Sequence, residues 1–352
     1  MRRAGIVVVA MLAFAVGITL SGGTLRAGVT ALAAEAGNAP PPDGRDTAAL
    51  SLERKIPLVG VTGRIDHMAF DARHGRLLVA ELGNGSLDAI DVQAGRPAAR
   101  VTGLAEPQGV AYAPQADVIL VANGGDGTVR LFRGADLAPR GAIALGEDAD
   151  DAALDEGSGD AVVGFGMGGL AVIDPARQAV VARVSLPAHP EAFRLDPVAD
   201  RAFVNIPGAR QIAVVDLRVG RQVAHWPLVG SRGNFPMALQ QGGGLLAVGF
   251  RDPPRLALLR VADGREVAQQ PACADADDVF FDARRQRIYL SCGAGVIDVF
   301  RDDGGALDRI ARIATRFGAR TALFVPQLDR LFVAAPAMSG VPAAIFVMRP
   351  MP

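Results

Sequence analysis

The sequence predicts an all-β protein, a seven-bladed β-propeller with four antiparallel strands in each blade. A pattern of short apolar strands recurs seven times at a spacing of 41 to 44 residues, and turn residues rich in glycine separate the strands. Four short strands per repeat at such a period are typical of propeller blades. Since no segment has the apolar periodicity of an amphipathic helix, the pattern excludes an α/β fold.

The bulk composition is compatible with one large β domain. The chain has 352 residues, of which 50% are hydrophobic, and it contains 42 glycines. Length alone would suggest about two domains. The continuous repeat instead predicts a single propeller domain over residues 51–352.

The first residues have the pattern of a secretory signal peptide. Arg2 and Arg3 precede an apolar run over residues 5–20, and small residues follow, with candidate cleavage sites after Ala27 and Ala33. We therefore predict a signal peptide over residues 1–33 and a periplasmic or secreted protein. The apolar run is short for a membrane span, so no stable span is expected after cleavage, and an uncleaved anchor is the alternative. The Pro-rich residues 34–50 are predicted to be a flexible lead-in.

Each repeat contains an inner strand that ends at an equivalent position. A second strand follows about six residues later, and turns such as Asn84-Gly85 and Asp126-Gly127 then predict two-residue hairpins, which need positive φ. The equivalent residues that end the inner strands are Asp71, Ala113, Asp155, Asp196, Gln240, Asp282 and Val325.

The two ends of the repeat array predict how the ring closes. The last repeat supplies only three strands, whereas the segment from Leu52 to Leu58 lies before the first inner strand, where a fourth strand belongs. We expect this N-terminal strand to complete the last blade as its outer strand. Closure of this kind removes free sheet edges.

The repeats resemble those of the YVTN-repeat β-propellers, a family of exported bacterial and archaeal proteins. The resemblance is carried by LVAELGNGSLDAIDVQAGRPAARVTGLAEPQGVAY from Leu78 to Tyr112 and by FVNIPGARQIAVVDLRVGRQVAHWPL from Phe203 to Leu228. It implies the propeller fold, export, and a binding or surface role, with no catalytic set to transfer. The Tyr-Val-Thr-Asn tetrapeptide itself is degraded in every blade. The Gly-His and Trp-Asp pairs of WD40 blades are missing, and one Trp does not suit the quinone-cofactor propellers.

The loops that lead into the inner strands are enriched in acidic residues. In a propeller these loops open at one mouth of the central channel. At the positions seven and five residues before each inner-strand end, seven of the fourteen residues are Asp or Glu, although the chain has only 37 among 352. In blade order these pairs are Arg64 and Asp66, Glu106 and Gln108, Asp148 and Asp150, His189 and Glu191, Gly233 and Phe235, Asp275 and Asp277, and Gly318 and Arg320.

This acidic mouth is the predicted binding site for a cationic or polyhydroxylated ligand or a metal ion. If the strand phase is one residue different, His67, Asp151 and Asp278 face inward instead. The alternative is that the loops are simply solvated, because Asp favours turns. The candidate ligand-binding residues are Asp66, Glu106, Asp148, Asp150, Glu191, Asp275, Asp277 and Arg320.

No cofactor is certain from the sequence. If a metal binds, its candidate ligands are Asp150, Glu191 and Asp277, and carboxylate oxygens would favour Ca²⁺ or Mg²⁺. No His pair has the spacing of a dedicated zinc site.

The sequence favours a non-catalytic binding or scaffold propeller over an enzyme. The candidate catalytic residues are His189, Glu191 and His67, any of which could be a general base for a hydrolase or lyase acting at the mouth, possibly with a metal. No Gly-x-Ser-x-Gly nucleophile motif occurs. A surface module that binds a protein through its blade edges or opposite face is the third hypothesis.

The remaining features limit partners and covalent links. The formal net charge is −1, so no broad surface would attract nucleic acid. A monomer is expected because most propellers of this size work as single domains. Cys273 and Cys292 either pair or remain free. Hairpin pairing places residue 277 opposite Cys292, so a disulfide requires the loop that carries Cys273 to fold back.

Overall fold

The computed structural model describes residues 49–196, 198–304 and 306–352. It confirms the predicted fold: seven four-stranded antiparallel sheets follow one another along the chain as the blades of a β-propeller. In these residues no α-helix occurs, and three short 3-10 helices interrupt the strands. No helix among them is long and apolar enough to cross a membrane.

Strands are numbered along the chain, and blades are numbered from the first complete sheet. Blades one to three comprise β2 (Met68–Asp71), β3 (Arg76–Glu81), β4 (Ser86–Asp91) and β5 (Arg96–Thr102); β6 (Pro107–Ala113), β7 (Val118–Asn123), β8 (Thr128–Arg133) and β9 (Pro139–Ala144); and β10 (Ala149–Leu154), β11 (Ala161–Phe165), β12 (Gly169–Asp174) and β13 (Ala179–Ser185). Blades four to six comprise β14 (Phe193–Asp196), β15 (Arg201–Ile206), β16 (Gln211–Asp216) and β17 (Arg221–Pro227); β18 (Arg232–Leu239), β19 (Leu245–Asp252), β20 (Pro254–Arg260) and β21 (Glu266–Pro271); and β22 (Ala276–Asp282), β23 (Arg287–Cys292), β24 (Val296–Asp302) and β25 (Leu307–Ala314). Blade seven comprises β26 (Ala322–Val325), β27 (Arg330–Ala335), β28 (Ala344–Pro350) and β1 (Leu50–Pro57).

Burial explains why the strands differ in sequence. The second strands, such as β3 and β7, are buried along their whole length, because the sheets of neighbouring blades cover both of their faces. They are accordingly continuous apolar runs rather than alternating ones. The outer strand β5 alternates between exposed and half-buried residues, as expected for a strand with one face in water.

The hydrophobic core is divided among the junctions between blades. Seven clusters of buried side chains occur, and each joins residues of two neighbouring blades. One of them joins Phe332 and Ile345 of blade seven to Leu77 and Val79 of blade one. The ring is therefore packed at the junction of its last and first blades as well.

The N-terminal strand closes the ring, as predicted. β1 pairs antiparallel with β28, from Leu50 opposite Pro350 to Pro57 opposite Ala344. It begins at Leu50, two residues before the predicted start and inside the predicted lead-in. The predicted signal peptide and residues 34–48 of the lead-in lie outside the described residues.

The turn at Asn84-Gly85 differs from the predicted two-residue hairpin. A 3-10 helix spans Leu82–Asn84, and only Gly85 takes a left-handed conformation, with φ of 63°. The connection is longer than expected, so a single residue rather than two carries the positive φ. Two inner strands, β10 and β18, end one residue earlier than predicted, at Leu154 and Leu239.

Candidate functional site at the mouth of the channel

One side chain from every blade lines a cavity at the mouth of the channel. These are the residues five positions before the inner-strand ends, so the predicted strand phase is the one that faces inward. The cavity measures about 270 Å³, roughly the volume of nine molecules of liquid water. We call it the mouth cavity; its seven equivalent residues are Asp66, Gln108, Asp150, Glu191, Phe235, Asp277 and Arg320.

A β-bulge near the start of the inner strands aims these side chains. In blade six the register shifts between Ala276 and Asp278, so Asp277 is the extra residue. Blade one has the same arrangement, because Asp66 N–H donates to Ala80 O at 2.8 Å and Ala80 N–H donates to His67 O at 3.1 Å. Bulges re-aim side chains next to functional sites. They also explain why His67 and Asp151, one position later, line the cavity too.

The acidic residues seven positions before the strand ends have a different role. Glu106, Asp148 and Asp275 all have positive φ, of 52°, 36° and 60°. Their carbonyl oxygens accept hydrogen bonds from Gly124, Gly166 and Gly293 in the neighbouring hairpin turns. Asp tolerates this left-handed conformation better than most residues. Part of the acidic enrichment therefore reflects backbone geometry, and of these three only Asp148 lines the mouth cavity, whereas Glu106 and Asp275 do not.

Two buried carboxylates at the start of inner strands connect neighbouring blades. Asp278 accepts a hydrogen bond from Ala322 N–H at 2.8 Å, and Asp151 accepts one from Phe193 N–H at 3.4 Å. Each carboxylate thus joins the inner strand of its own blade to that of the next. Burial raises the pKa of Asp278 to about 7.

Arg251 is part of the cavity and was missed by the sequence analysis. It projects from the second strand of blade five, whereas the predicted site residues all come from the segments that lead into first strands. Its guanidinium forms an ion pair with Asp277, donates to Ala276 O at 2.9 Å, and lies 3.7 Å from the centre of the Phe235 ring. In the sequence, the one sign that blade five differs was the lack of an acidic residue at its two compared positions, Gly233 and Phe235.

Asp66 is the most deeply buried acid of the mouth cavity. It is 1% exposed. Its Oδ2 lies 2.9 Å from Arg64 Nη2, an ion pair without hydrogen-bond alignment. No described residue hydrogen-bonds its Oδ1, and His67 Nε2 lies 4.0 Å away. A buried carboxylate oxygen without a hydrogen-bond partner is costly, and here its residue lines a cavity.

His189 is held by partners on both ring nitrogens. Nδ1 lies 2.6 Å from the carbonyl oxygen of Gly166, and Nε2 lies 3.3 Å from Asp150 Oδ2. Both partners are acceptors, so the ring donates twice and is an imidazolium. The hydrogen bond to Asp150 is the main cause that raises the pKa of His189 to about 9. His189 therefore has no free lone pair with which to act as a general base.

His67 is a second imidazolium. Burial alone would lower its pKa, but the surrounding carboxylates, first Asp151 and then Asp66 and Asp278, raise it to about 10. Like His189, it neutralises acids and is not available as a base at neutral pH.

Glu191 differs from its acidic neighbours because it has no partner. No described residue hydrogen-bonds its carboxyl group, and burial, followed by the charge of Asp150, raises its pKa to about 7. Burial also raises the pKa of Asp150 and of Asp277. Glu191 is thus the one catalytic candidate whose protonation changes near neutral pH.

The candidate metal ligands do not converge. Among the described residues, no group of three or more His, Cys, Asp or Glu side chains is placed to hold a metal ion. Asp277 is instead paired with Arg251, and Asp150 with His189. The arrangement therefore does not fit a Ca²⁺ or Mg²⁺ site.

A disulfide joins Cys273 and Cys292, with a Cα–Cα distance of 6.0 Å. Cys292 lies opposite Ala276 rather than residue 277, because of the bulge in β22. The loop that carries Cys273 folds back, and Cys273 N–H donates to Asp298 at 2.8 Å. The bond holds the loop leading to Asp277 against the second strand of the blade.

Comparison with known proteins identifies the fold and no family. No family model matches the chain, and no curated protein matches its sequence. Solved structures do share its fold. A chain of the mitotic checkpoint complex aligns with a TM-score of 0.74 at 14% identity, covering 93% of this chain and 100% of that one.

Two further structures show the same likeness. A chain of hydrazine synthase from Kuenenia stuttgartiensis has a TM-score of 0.71 at 14% identity and covers 82% of this chain and 98% of its own. U3-55K has a TM-score of 0.72 at 12% identity and covers 88% of this chain and 100% of its own. At such identities the likeness concerns the fold alone, and function has to be argued from the site.

Proposed function

We propose that this protein is an exported binding propeller of the YVTN-repeat type that holds a small polar ligand in the mouth cavity. The observation that carries the proposal is Asp66: its carboxylate is 1% exposed, its oxygens have no described hydrogen-bond partner, and the residue lines a cavity to which all seven blades contribute. A ligand that donates a hydrogen bond there would satisfy it. The cavity has few apolar walls, of which Phe235 is the largest, so the ligand is polar.

A non-catalytic role is supported by the two histidines. His67 and His189 are both surrounded by acceptors and carry the positive charge that their carboxylate neighbours need. Neither is free to remove a proton from a bound molecule. The charged groups thus contribute to ligand binding and hold the blades together at the mouth.

The test is thermal unfolding of the purified protein with a panel of polyols, amines, amino acids, Ca²⁺, Mg²⁺ and EDTA. A ligand at a hundred times its dissociation constant adds about 2.7 kcal/mol of stability. We expect stabilisation by a polar organic compound, reduced in Glu191→Gln and kept in the control Glu156→Gln, which alters an exposed glutamate in the distant turn between β10 and β11. Equal stabilisation of both variants, or none by any compound, would contradict a site in the mouth cavity.

The enzyme hypothesis retains one supporting observation. Glu191 has a pKa raised to about 7 and an unpartnered carboxyl group, as a general acid or base requires. Turnover of a bound compound that is abolished by Glu191→Gln, with binding retained, would favour a hydrolase or lyase over a binding protein.

The protein-interaction hypothesis draws on one similar structure, which belongs to the mitotic checkpoint complex. If this chain works through its blade edges, the mouth variants will leave partner capture unchanged. Export is supported by the basic and apolar N-terminal pattern. It is tested by N-terminal sequencing of the protein recovered outside the cytoplasm, where an intact Met1 would contradict cleavage.

A further inference from the structure

The mouth cavity has charged walls of opposite sign. In a ring of seven blades, blades three and four lie across the channel from blade seven. Blades three and four contribute Asp150 and Glu191, whereas blade seven and its neighbour blade one contribute Arg320 and Arg64. We call the first pair the acidic wall and the second pair the basic wall.

The carboxylates near the basic wall are already neutralised. Asp277 forms an ion pair with Arg251, and Asp275 lies 3.1 Å from Arg320 and 3.5 Å from Arg251. Each of these two carboxylates is therefore already paired with an arginine. Asp66 pairs with Arg64 in the same way, so three arginines and three carboxylates balance here, and a bound anionic group would be held by the guanidinium donors that these pairs leave free.

The arginines of the basic wall have donors left for a ligand. The ion pair of Arg64 uses Nη2 and that of Arg320 uses Nη1. Their side chains are 48% and 29% exposed, so both guanidinium groups reach the solvent that fills the mouth. Guanidinium groups bind carboxylates through two parallel hydrogen bonds.

The acidic wall has acceptors left for a ligand. The Glu191 carboxyl has no described hydrogen-bond partner, and the contact between Asp150 and His189 uses Oδ2 alone. The second oxygen of Asp150 is therefore the acceptor that accompanies Glu191 on this wall. An ammonium group has three donors and suits such a set of oxygens.

We propose that the ligand of the mouth cavity is a small zwitterion that places its ammonium group against the acidic wall and its carboxylate against the basic wall. This inference rests on the proposed small-ligand function and names the class of ligand. A simple cation would leave Arg64 and Arg320 unused, and a simple anion would leave Glu191 and Asp150 unused. The volume of about 270 Å³ suits a molecule of the size of a free amino acid.

The experiment is calorimetric titration at pH 8 with ω-amino acids of increasing length, from glycine to 5-aminopentanoate. Each is compared with the amine and the carboxylate of the same chain length, and with butane-1,4-diol as the uncharged probe. We expect the best amino acid to bind at least 10-fold more tightly than its amine or its carboxylate, because both walls then contribute.

Three variants assign the two walls. Glu191→Gln should weaken the amino acid and the amine about 10-fold and leave the carboxylate unchanged. Arg320→Met and, separately, Arg64→Met should weaken the amino acid and the carboxylate and leave the amine unchanged. Glu156→Gln should alter none of them, and circular dichroism verifies that each variant is folded.

The outcomes separate this inference from the proposed function. An amine or the diol that binds as tightly as the amino acid overturns the zwitterion and keeps a small-ligand site. The zwitterion is also overturned if each wall variant weakens the binding of all probes equally. If no probe binds with a dissociation constant below 10 mM, both the zwitterion and the small-ligand site fail.

Discussion

Replacement of His67 by glutamine should destabilise the protein in a way that depends on pH. His67 is 23% exposed at its side chain and is surrounded by Asp66, Asp151 and Asp278, which raise its pKa from 6.5 to about 10. At roughly 1.4 kcal/mol per pH unit, that difference corresponds to an upper value of about 5 kcal/mol. Since Asp278, with its pKa raised to about 7, is already largely protonated at pH 6 and then attracts the imidazolium little, we expect a net loss of about 3 kcal/mol at pH 6.

The sign of the pH dependence follows from the direction of the pKa change. A histidine with a raised pKa stabilises the folded state fully below its ordinary value of 6.5, and this contribution disappears as pH rises through about 10. The difference in unfolding free energy between the wild type and His67→Gln should therefore fall by more than half between pH 6 and pH 9.

Urea unfolding at the two pH values measures the effect, and NMR titration of the imidazole signals follows the protonation directly. His225→Gln is the matched control, because His225 is exposed on the outer strand β17. It should change stability by less than about 0.5 kcal/mol. An imidazole of His67 that titrates near 6.5, or a loss that is equal at pH 6 and pH 9, would refute the electrostatic account of the mouth.

Three further predictions concern the framework of the site. Cys273→Ser with Cys292→Ser removes a crosslink across a sequence separation of 19 residues, so denaturant unfolding should show a loss of about 3 kcal/mol; two free thiols in the denatured, unreduced wild type would contradict the bond. Gly109→Ala should cost about 2 kcal/mol or more, because a Cβ there would meet Asp150 O at 2.1 Å, whereas in Gly244→Ala the nearest atom is 3.5 Å away. Equal melting temperatures of these two variants would refute the tight contact between blades two and three. Deletion of residues 51–58 should yield insoluble protein, because it exposes the edge of β28; a soluble product with unchanged melting temperature would refute closure by β1.

The repeat made the fold predictable, because each blade presents the same short apolar strands at a nearly constant period. The closing strand followed from the same count. What the sequence could not give was the exact extent of β1 or the 3-10 turn at Leu82–Asn84. Hydrogen bonding with neighbouring segments decides these boundaries, and the pattern of apolar residues in one sequence predicts such bonds only weakly.

The site was predictable to the extent that it obeys the repeat. The residues five positions before each inner-strand end all line the mouth cavity. Of these, Asp66, Asp150, Glu191, Asp277 and Arg320 were predicted as ligand-binding residues, whereas Gln108 and Phe235 were not. Arg251 was missed because it comes from a second strand and enters the cavity only in blade five. Glu106 and Asp275 were included in the prediction because they are acidic residues at equivalent positions. For Asp275, a preference for left-handed backbone looks the same in sequence as a preference for a ligand.

The imidazolium state of both histidines was also beyond the reach of the sequence. Adjacent residues such as Asp66 and His67 suggest a base with an acid beside it. Only the folded structure shows that carboxylates of other blades, Asp151 and Asp278, surround the same ring. The mouth is therefore a mixed-charge cavity, to which the two histidines and Arg251 add positive charge beyond the predicted Arg320.

The most direct test of a ligand site in the mouth cavity is the NMR spectrum of the four histidines during titration with the compound that most raises the melting temperature. His67 and His189 lie in the cavity, whereas His74 follows β2 at the opposite face and His225 lies on an outer strand. We predict that the imidazole signals of His67 and His189 shift together and saturate, while those of His74 and His225 stay in place. Shifts confined to His74 or His225, or no shift at saturating compound, would contradict binding in the mouth cavity.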